Sequence, residues 1–398
     1  MSRPLRADAP PPYPSPALVE TSDALAALCG RLRGEPFVTI DTEFMRERTY
    51  FPELCVVQLG GADEVAVIDA EAPGIDLAPL GALLADPAVL KVFHAARQDN
   101  EIFLYRFGQV PQPLFDTQVA AMVAGFGDQV GYDALVAALT GGQIDKAHRF
   151  SDWAARPLSA AQVAYAAADV THLRGVYERL RTRLERDGRL DWVAEEMAAL
   201  ADPATYRPDP ETMWERLRPR TANRRMLGVL RAIAAWRERE AQRVDIPRQR
   251  VLRDEALLEI AATAPRDAEA LSRARGVTRG FAEGRSGAGL LEAVAAALAM
   301  PEAALPEVPR GRDGAKPSPA LVALLKVLLA AKGERHHVAP KLLASADELE
   351  RLAGEDAPDL PVLRGWRREV FGEDALALKA GRMALAVDGR RVRLVPAG

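Results

Sequence analysis

At 398 residues, with 48% hydrophobic and 27% charged residues, the chain has the make-up of a globular protein of two or three domains with ample core. Its longest apolar runs, around Leu321–Leu329 and Leu290–Met300, carry Lys326 and Glu292 and are too short to cross a bilayer, and two cysteines, Cys29 and Cys55, exclude a disulfide framework or a cysteine-rich zinc centre. The net charge of −4 hides an asymmetry: from Trp214 to Arg253 there are twelve Arg, no Lys and four acids, a local +8 that leaves −12 for the remainder. That split suits a chain in which one part attracts a polyanion and another concentrates carboxylates.

Residues 1–16 are proline-rich, lack the apolar core of a signal peptide, and are expected to form a flexible lead, with the cytoplasm as the expected location. A helix near Ser22–Arg33 precedes a β-branched and aromatic run, Phe37 to Ile40 with Phe44 beyond, that reads as a buried strand. Leu54–Leu59 and Val65–Asp69, joined by Gly60–Asp63, complete an antiparallel meander of three strands. A helix near Leu77–Leu84 leads to a fourth strand, Leu90–His94, and to a helix from Gln98 to Phe107. Pro113–Asp116 is a short strand or turn, followed by helices near Thr117–Val123 and Asp133–Leu139 and a long helix from Ser159 toward Leu184. The expectation is an α/β domain over 17–203, a mixed sheet flanked by helices. Past the proline-rich link Asp202–Pro210, strand signals fade and 208–300 read as helices. Residues 301–319 form a second link, and 320–398 a further helical block ending in a hairpin marked by Asp388-Gly389 between two alternating runs.

The chemistry begins where the first strand ends in acids. Side chains on a strand alternate, so Asp41 and Glu43 point to the same side, near enough to share a cation. Asp99 opens the helix leaving the fourth strand, at a point that can lie at the same sheet edge. Tyr165 and Asp169 stand one turn apart on one helix face, separated by three alanines that permit close approach to a sheet. Four acids in one cleft are costly without counter-charge and imply divalent cations, and all-oxygen ligands suit Mg²⁺ or Mn²⁺. Two such ions suit in-line phosphoryl displacement, with Tyr165 orienting the attacking water, since a phenol of ordinary pKa near 10 is a poor base.

These residues resemble the three motifs of the DEDD exonuclease superfamily in its tyrosine-bearing branch: Asp41-Thr42-Glu43, the run His94 to Asp99, and Tyr165-x-x-x-Asp169. Together with Phe115-Asp116-Thr117-Gln118, Ser151-Asp152-Trp153 and Arg156-Pro157-Leu158-Ser159 they look like the ribonuclease D family. Downstream, Leu230 to Trp236-Arg237, Ile246-Pro247-Arg248, Leu257–Ala261, Leu271 and Gly276 resemble an HRDC domain, and the block through Gly365-Trp366-Arg367 is similar to a second, divergent copy. The resemblance implies a ribonuclease-H-like exonuclease fold followed by two HRDC-type domains. It implies 3′→5′ digestion of RNA to 5′-mononucleotides, with precursor-tRNA trimming as the family role. Asp41, Glu43, Asp99 and Asp169 would bind two divalent metals, and Tyr165 would position water.

Plainer readings stand beside these. Asp116 is expected to be a helix N-cap rather than a ligand, and His94 a structural or orienting group. Trp153 suits a stacked base or a core position equally. His336-His337 lack partners at ligand spacing. The arginines of 214–253 are expected to touch RNA backbone, because twelve Arg and four acids cannot all pair internally. A proofreading-type DNA exonuclease would use the same acids, and a catalytically silent RNA-binding scaffold would have lost one of them; here none is lost.

Overall fold

The computed structural model describes residues 15–145, 147–148, 151–219, 221, 223–307 and 317–397. Most of the lead 1–16 and the middle of the link 301–319 therefore lie outside the described residues. Two compact units emerge: one takes residues up to 43, 55–202 and the C-terminal block, the other takes 44–54 with 203–312.

In the first unit a six-stranded sheet runs β1-β4-β3-β2-β5-β6. Its strands are β1 (Ala17–Val19), β2 (Phe37–Met45), β3 (Glu53–Gly60), β4 (Val65–Asp69), β5 (Leu90–Phe93) and β6 (Leu114–Asp116). The expected meander is there: β3 and β4 pair antiparallel from Val56↔Asp69 to Gly60↔Val65. β2 pairs parallel with β5 (Phe37↔Leu90 to Thr39↔Val92), and β6 extends the parallel side, so Pro113–Asp116 resolves to a strand with a preceding turn. Sequence reading missed β1, which pairs parallel with β4 at the far edge. Three apolar residues beside a proline-rich segment show no alternation to detect.

The helices of this part are α1 (Ser22–Leu32), α2 (Ala78–Leu84), α3 (Arg97–Phe107), α4 (Thr117–Val123), α5 (Tyr132–Thr140), α6 (Ala160–Arg186) and α7 (Leu190–Ala201). The long α6 starts from a capping box, Ser159 with Gln162, and breaks after Arg186. Gly188 at φ 64 there allows the turn into α7, which the sequence reading had not separated.

The second unit holds α8 (Arg224–Val244), α9 (Arg248–Val251), α10 (Asp254–Thr263), α11 (Ala268–Ser272), α12 (Arg279–Glu283) and α13 (Arg285–Ala299) around a core that includes Leu230, Ile233, Leu257, Leu271 and Leu290. Residues 44–54 belong to it: the Tyr50 and Phe51 amides both donate to Asp245 Oδ1 at 3.0 Å, and Gln242 Nε2 donates to the Tyr50 hydroxyl at 3.0 Å. The C-terminal block, back in the first unit, comprises α14 (Pro319–His336), α15 (Pro340–Leu343), α16 (Ala346–Gly354), α17 (Gly365–Arg367) and α18 (Glu373–Lys379), joined by a π-helical turn, then β7 (Met383–Asp388) and β8 (Arg391–Pro396). The hairpin forms as expected, with Gly389 at φ 61 and Arg390 making its loop.

Candidate active site

Three segments bring the acids together. Because β2 and β5 run parallel, both end at one sheet edge. Asp41 and Glu43 lie toward the end of β2, and α3, leaving β5, carries Asp99 in its first turn. The third segment, α6, is pinned to β2 by the buried Thr39 hydroxyl, which donates to Val170 O at 2.8 Å. This approach requires a small partner: a Cβ on Gly60 would lie 2.4 Å from Thr39 Oγ1. Ala166 and Ala167 are buried on the same helix, so the alanine run serves the close packing that its composition suggested. Asp169, one residue before the pinned Val170, is thereby turned toward the strand end, 8% exposed.

The electrostatics show how near these groups are. Burial, then the charges of Asp169, Asp99 and Glu43, push the Asp41 carboxyl well above the ordinary range. Burial, then Asp169 and Asp99, raise Glu43 to about 8. Burial lifts Asp169 to about 7. For Asp99 burial also dominates and takes it to about 6, against a stabilising hydrogen bond from the Thr42 hydroxyl to Asp99 Oδ1. What acts on the four is burial, their fellow acids and Asp116, opposed at Asp41 and Asp99 by backbone and hydroxyl donors. As they stand, no three His, Cys, Asp or Glu side chains among the described residues close into a ready ligand set for a metal ion. The donor chemistry nevertheless fits a hard divalent cation: oxygen atoms only, buried, and in want of positive charge.

A cavity of about 340 Å³ opens beside them, lined among others by Asp41, Asp169, Tyr165, His94, Tyr132 and Gln118. Tyr165 faces this cavity one turn ahead of Asp169, with its ring 6.1 Å from Trp153 and 6.2 Å from His148. Trp153 is 3% exposed, so of the two readings held for it the core position is the one observed. His94 is an orienting group. Its Nδ1 lies 2.9 Å from the Thr117 hydroxyl, which itself lies 2.9 Å from Phe93 O, and these contacts fix the ring. Burial drives its pKa down to about 4, which keeps the imidazole neutral.

Asp116 caps α4 as expected, accepting from the Gln118 and Val119 amides at 2.8 and 3.3 Å. It also has a second task that the sequence reading missed. Its carboxylate accepts from Ala95 N at 3.1 Å and Ala96 N at 2.8 Å, holding the turn in which Ala95 takes φ 62, just ahead of Asp99. A left-handed alanine is costly, and a buried carboxylate receiving four amides supports it. Tyr132 was likewise missed: its hydroxyl donates to the backbone oxygen of Asp169 and its ring lies 5.0 Å from His94.

The arginine-rich segment is engaged within the protein at seven of its arginines. Arg237, Arg239, Arg243 and Arg248 pair with Asp254, Glu211, Glu240 and Glu238. Arg224, Arg225 and Arg231 donate to the carbonyls of Leu305, Met300 and Ala304. Acids outside the segment, Glu211 and Asp254, and backbone carbonyls serve as acceptors that a count of charges within it does not include. Arg216, Arg218, Arg250 and Arg253 are left exposed.

Comparison with known proteins bears on the family and the fold. Residues 16–185 match a 3′-5′ exonuclease family and residues 226–294 the HRDC domain. The chain is 73% identical to ribonuclease D of Granulibacter bethesdensis over 97% of its own length and 98% of that protein's. It is 40% identical to ribonuclease D of Bartonella henselae over 94% and 92% of the two lengths. The crystal structure of Escherichia coli RNase D, described as an exoribonuclease involved in structured RNA processing, matches with a TM-score of 0.77 and 32% identity, covering 92% of this chain and 99% of that one.

The chain belongs to the ribonuclease D family. It is therefore a 3′→5′ exoribonuclease: an exonuclease domain with a mixed sheet flanked by helices, followed by a helical HRDC domain. Ribonuclease D acts on RNA, and the exonuclease family is metal-dependent. Among the described residues no helix is long and apolar enough to cross a membrane.

Proposed function

We propose that Asp41, Glu43, Asp99 and Asp169 hold two divalent cations, Mg²⁺ or Mn²⁺, and that Tyr165 positions the attacking water at the terminal phosphodiester of an RNA 3′ end. The observation that carries this reading is the set of four carboxylates, drawn from three distant segments, Asp99 and Asp169 buried and Asp41 and Glu43 half-buried, whose protonation is raised by burial and proximity. Bound cations in such a site lower the pKa of water and offset charge on the leaving oxygen. The chain's own residues do the rest. Asp116 and the Ala95 turn hold Asp99 in place, Thr39 holds α6 against β2, and His94 stays neutral, so it adds no competing positive charge. Tyr165 offers a hydroxyl at the cavity wall, and its phenol orients water without having to ionise.

The products of this reading are 5′-mononucleotides, the substrate class is precursor tRNA with a 3′ extension, and the site of action is the cytoplasm, where the two buried free cysteines would stay reduced. Residues 320–398 fit a divergent second HRDC-like module, after 208–300. In both, the long helix ends in a left-handed residue, Asp245 at φ 49 and His337 at φ 48. A proline-led four-residue helix follows in each, ending on extended Leu252 at φ −154 and Ala344 at φ −156. Release of mononucleotides from a 3′-labelled single-stranded RNA, with Mg²⁺, with Mn²⁺ and with chelator, tests the proposal. Full activity in chelator would overturn the metal assignment, and a product other than the 5′-phosphate would overturn the chemistry.

A further inference from the structure

The C-terminal hairpin is also rich in arginine. Residues 382–393 hold Arg382, Arg390, Arg391 and Arg393 against the single acid Asp388. A second cavity, of about 400 Å³, lies between this hairpin and the last turns of α14. Lys332, Arg335, Arg391 and Arg393 line it, with Glu334 and Asp388 as its acids. Lys332 is neutralised by Asp374, and the Arg393–Asp388 pair spans 3.6 Å with both side chains well exposed, the kind of ion pair that contributes little and releases its arginine readily. Arg335 and Arg391 are exposed and have no acid within ion-pair distance among the described residues. The local field is positive enough to register nearby: burial, then Lys332, Arg335 and Arg189, lower the pKa of His336. Between the charged rims, Leu385 and Leu394 give the cavity an apolar floor. Guanidinium groups around an apolar floor match a sugar–phosphate chain, where phosphates take the arginines and a sugar or base face covers the leucines.

The cavity is also fixed with respect to the cleft. Arg189 donates to Val123 O at 2.8 Å, to His337 O at 2.9 Å and to His336 O, and Ala339 N donates to Met122 O at 3.0 Å. Gly125 sits so close that a Cβ on it would lie 2.5 Å from His337 O. The loop held this way runs into Gly131 and Tyr132, which line the carboxylate cavity.

We propose that the pocket between α14 and the β7–β8 hairpin binds the phosphodiester backbone of the RNA substrate upstream of the 3′ end, as a second grip on the unit that carries the cleft. This rests on the reading of that cleft as the seat of the 3′ end, and the experiment separates the two. In full-length protein, Arg335, Arg391 and Arg393 are changed together to Ala, and in a second variant to Lys. Binding of a long fluorescent single-stranded RNA is followed by anisotropy against salt in an Asp41→Asn background, where no cleavage intervenes. The alanine variant should bind about tenfold more weakly, with the slope of log K against log salt reduced by about two to three. The lysine variant should keep most of the affinity and the slope. With Asp41 intact, cleavage of a trinucleotide too short to reach the pocket should be unchanged. Unaltered anisotropy and slope in the alanine variant would overturn the pocket, as would an equal loss on the trinucleotide. Failure of the cleft reading would appear separately, as RNA cleavage by the Asp41→Asn protein alone.

Discussion

In the helical unit the side chain of Glu238 is 1% exposed beneath Arg248, whose guanidinium makes two 2.7 Å hydrogen bonds to it, while the Tyr50 hydroxyl donates to the same carboxylate. In the cleft, Asp99 and Asp169 are buried and Asp41 and Glu43 half-buried, and all four are pushed toward protonation by burial, Asp41 and Glu43 also by their fellow acids. Both regions attracted attention as concentrations of one charge. Glu238 is balanced by Arg248 within the protein and the pair is architectural; the cleft acids repel one another and call for positive charge from solution. Charge density in a sequence shows where ions are, and the tertiary partners decide whether they are still available.

The largest effect expected from this contrast is on activity. Asp41→Asn should lower mononucleotide release from a 3′-labelled RNA by several orders of magnitude, each tenfold corresponding to about 1.4 kcal/mol of barrier. Near-normal turnover would remove Asp41 from the site. The same substitution should stabilise the metal-free protein at alkaline pH, because it deletes a carboxylate that the fold holds at a cost.

The next test is on stability in the balanced region. Glu238→Gln leaves Arg248 without its partner and should destabilise the helical unit by roughly 2 kcal/mol, less than a fully buried pair would lose because Arg248 is partly exposed. Urea denaturation with the wild-type m-value would measure it. An unchanged midpoint would mean that the pair is not structural.

The pH dependence has opposite signs in the two regions. In the cleft the folded-state pKa values are raised, to about 6 for Asp99, about 7 for Asp169 and about 8 for Glu43. Groups raised on folding contribute stability that is complete below their unfolded values and lost as pH climbs through the folded ones. Metal-free protein should therefore lose Tm steadily between about pH 5 and pH 8. Added Mg²⁺ or Mn²⁺ should restore more at pH 8 than at pH 6. For Glu238 the pKa is lowered: burial opposes, and the Arg248 and Tyr50 hydrogen bonds prevail. Its contribution is present above the ordinary carboxylate range and lost on acidification. A metal-free Tm that rises from pH 6 to 8 would contradict the account of the cleft.

The smallest effect concerns the paired arginines. Arg239→Ala and Arg243→Ala remove side chains already engaged with Glu211 and Glu240, and each should change the salt slope of RNA binding by less than about 0.3, against about 0.7 for a lost phosphate contact. A larger change would return this segment to the RNA interface.

Much of this was legible in the chain. The alternation that puts Asp41 and Glu43 on one side, the four-residue step from Tyr165 to Asp169 and the Asp388-Gly389 turn are local patterns with direct geometric meaning, and they appear as read. Asp116 was legible only in part. The cap on α4 is local, but its hold on the Ala95 turn joins residues twenty apart through sheet pairing that no periodicity reports. The arginine partners were illegible for the same reason, since Glu211, Asp254 and the carbonyls after α13 become acceptors only once the helices fold back. Strand β1 is too short to carry any pattern.

The most direct test of the central claim is Mn²⁺ binding to the full-length resting protein, followed by calorimetry at pH 7.5 in wild type and in Asp41→Asn and Asp169→Asn variants. The account predicts about two ions per wild-type chain, with affinity lost in each variant. Equal binding by all three proteins would contradict it.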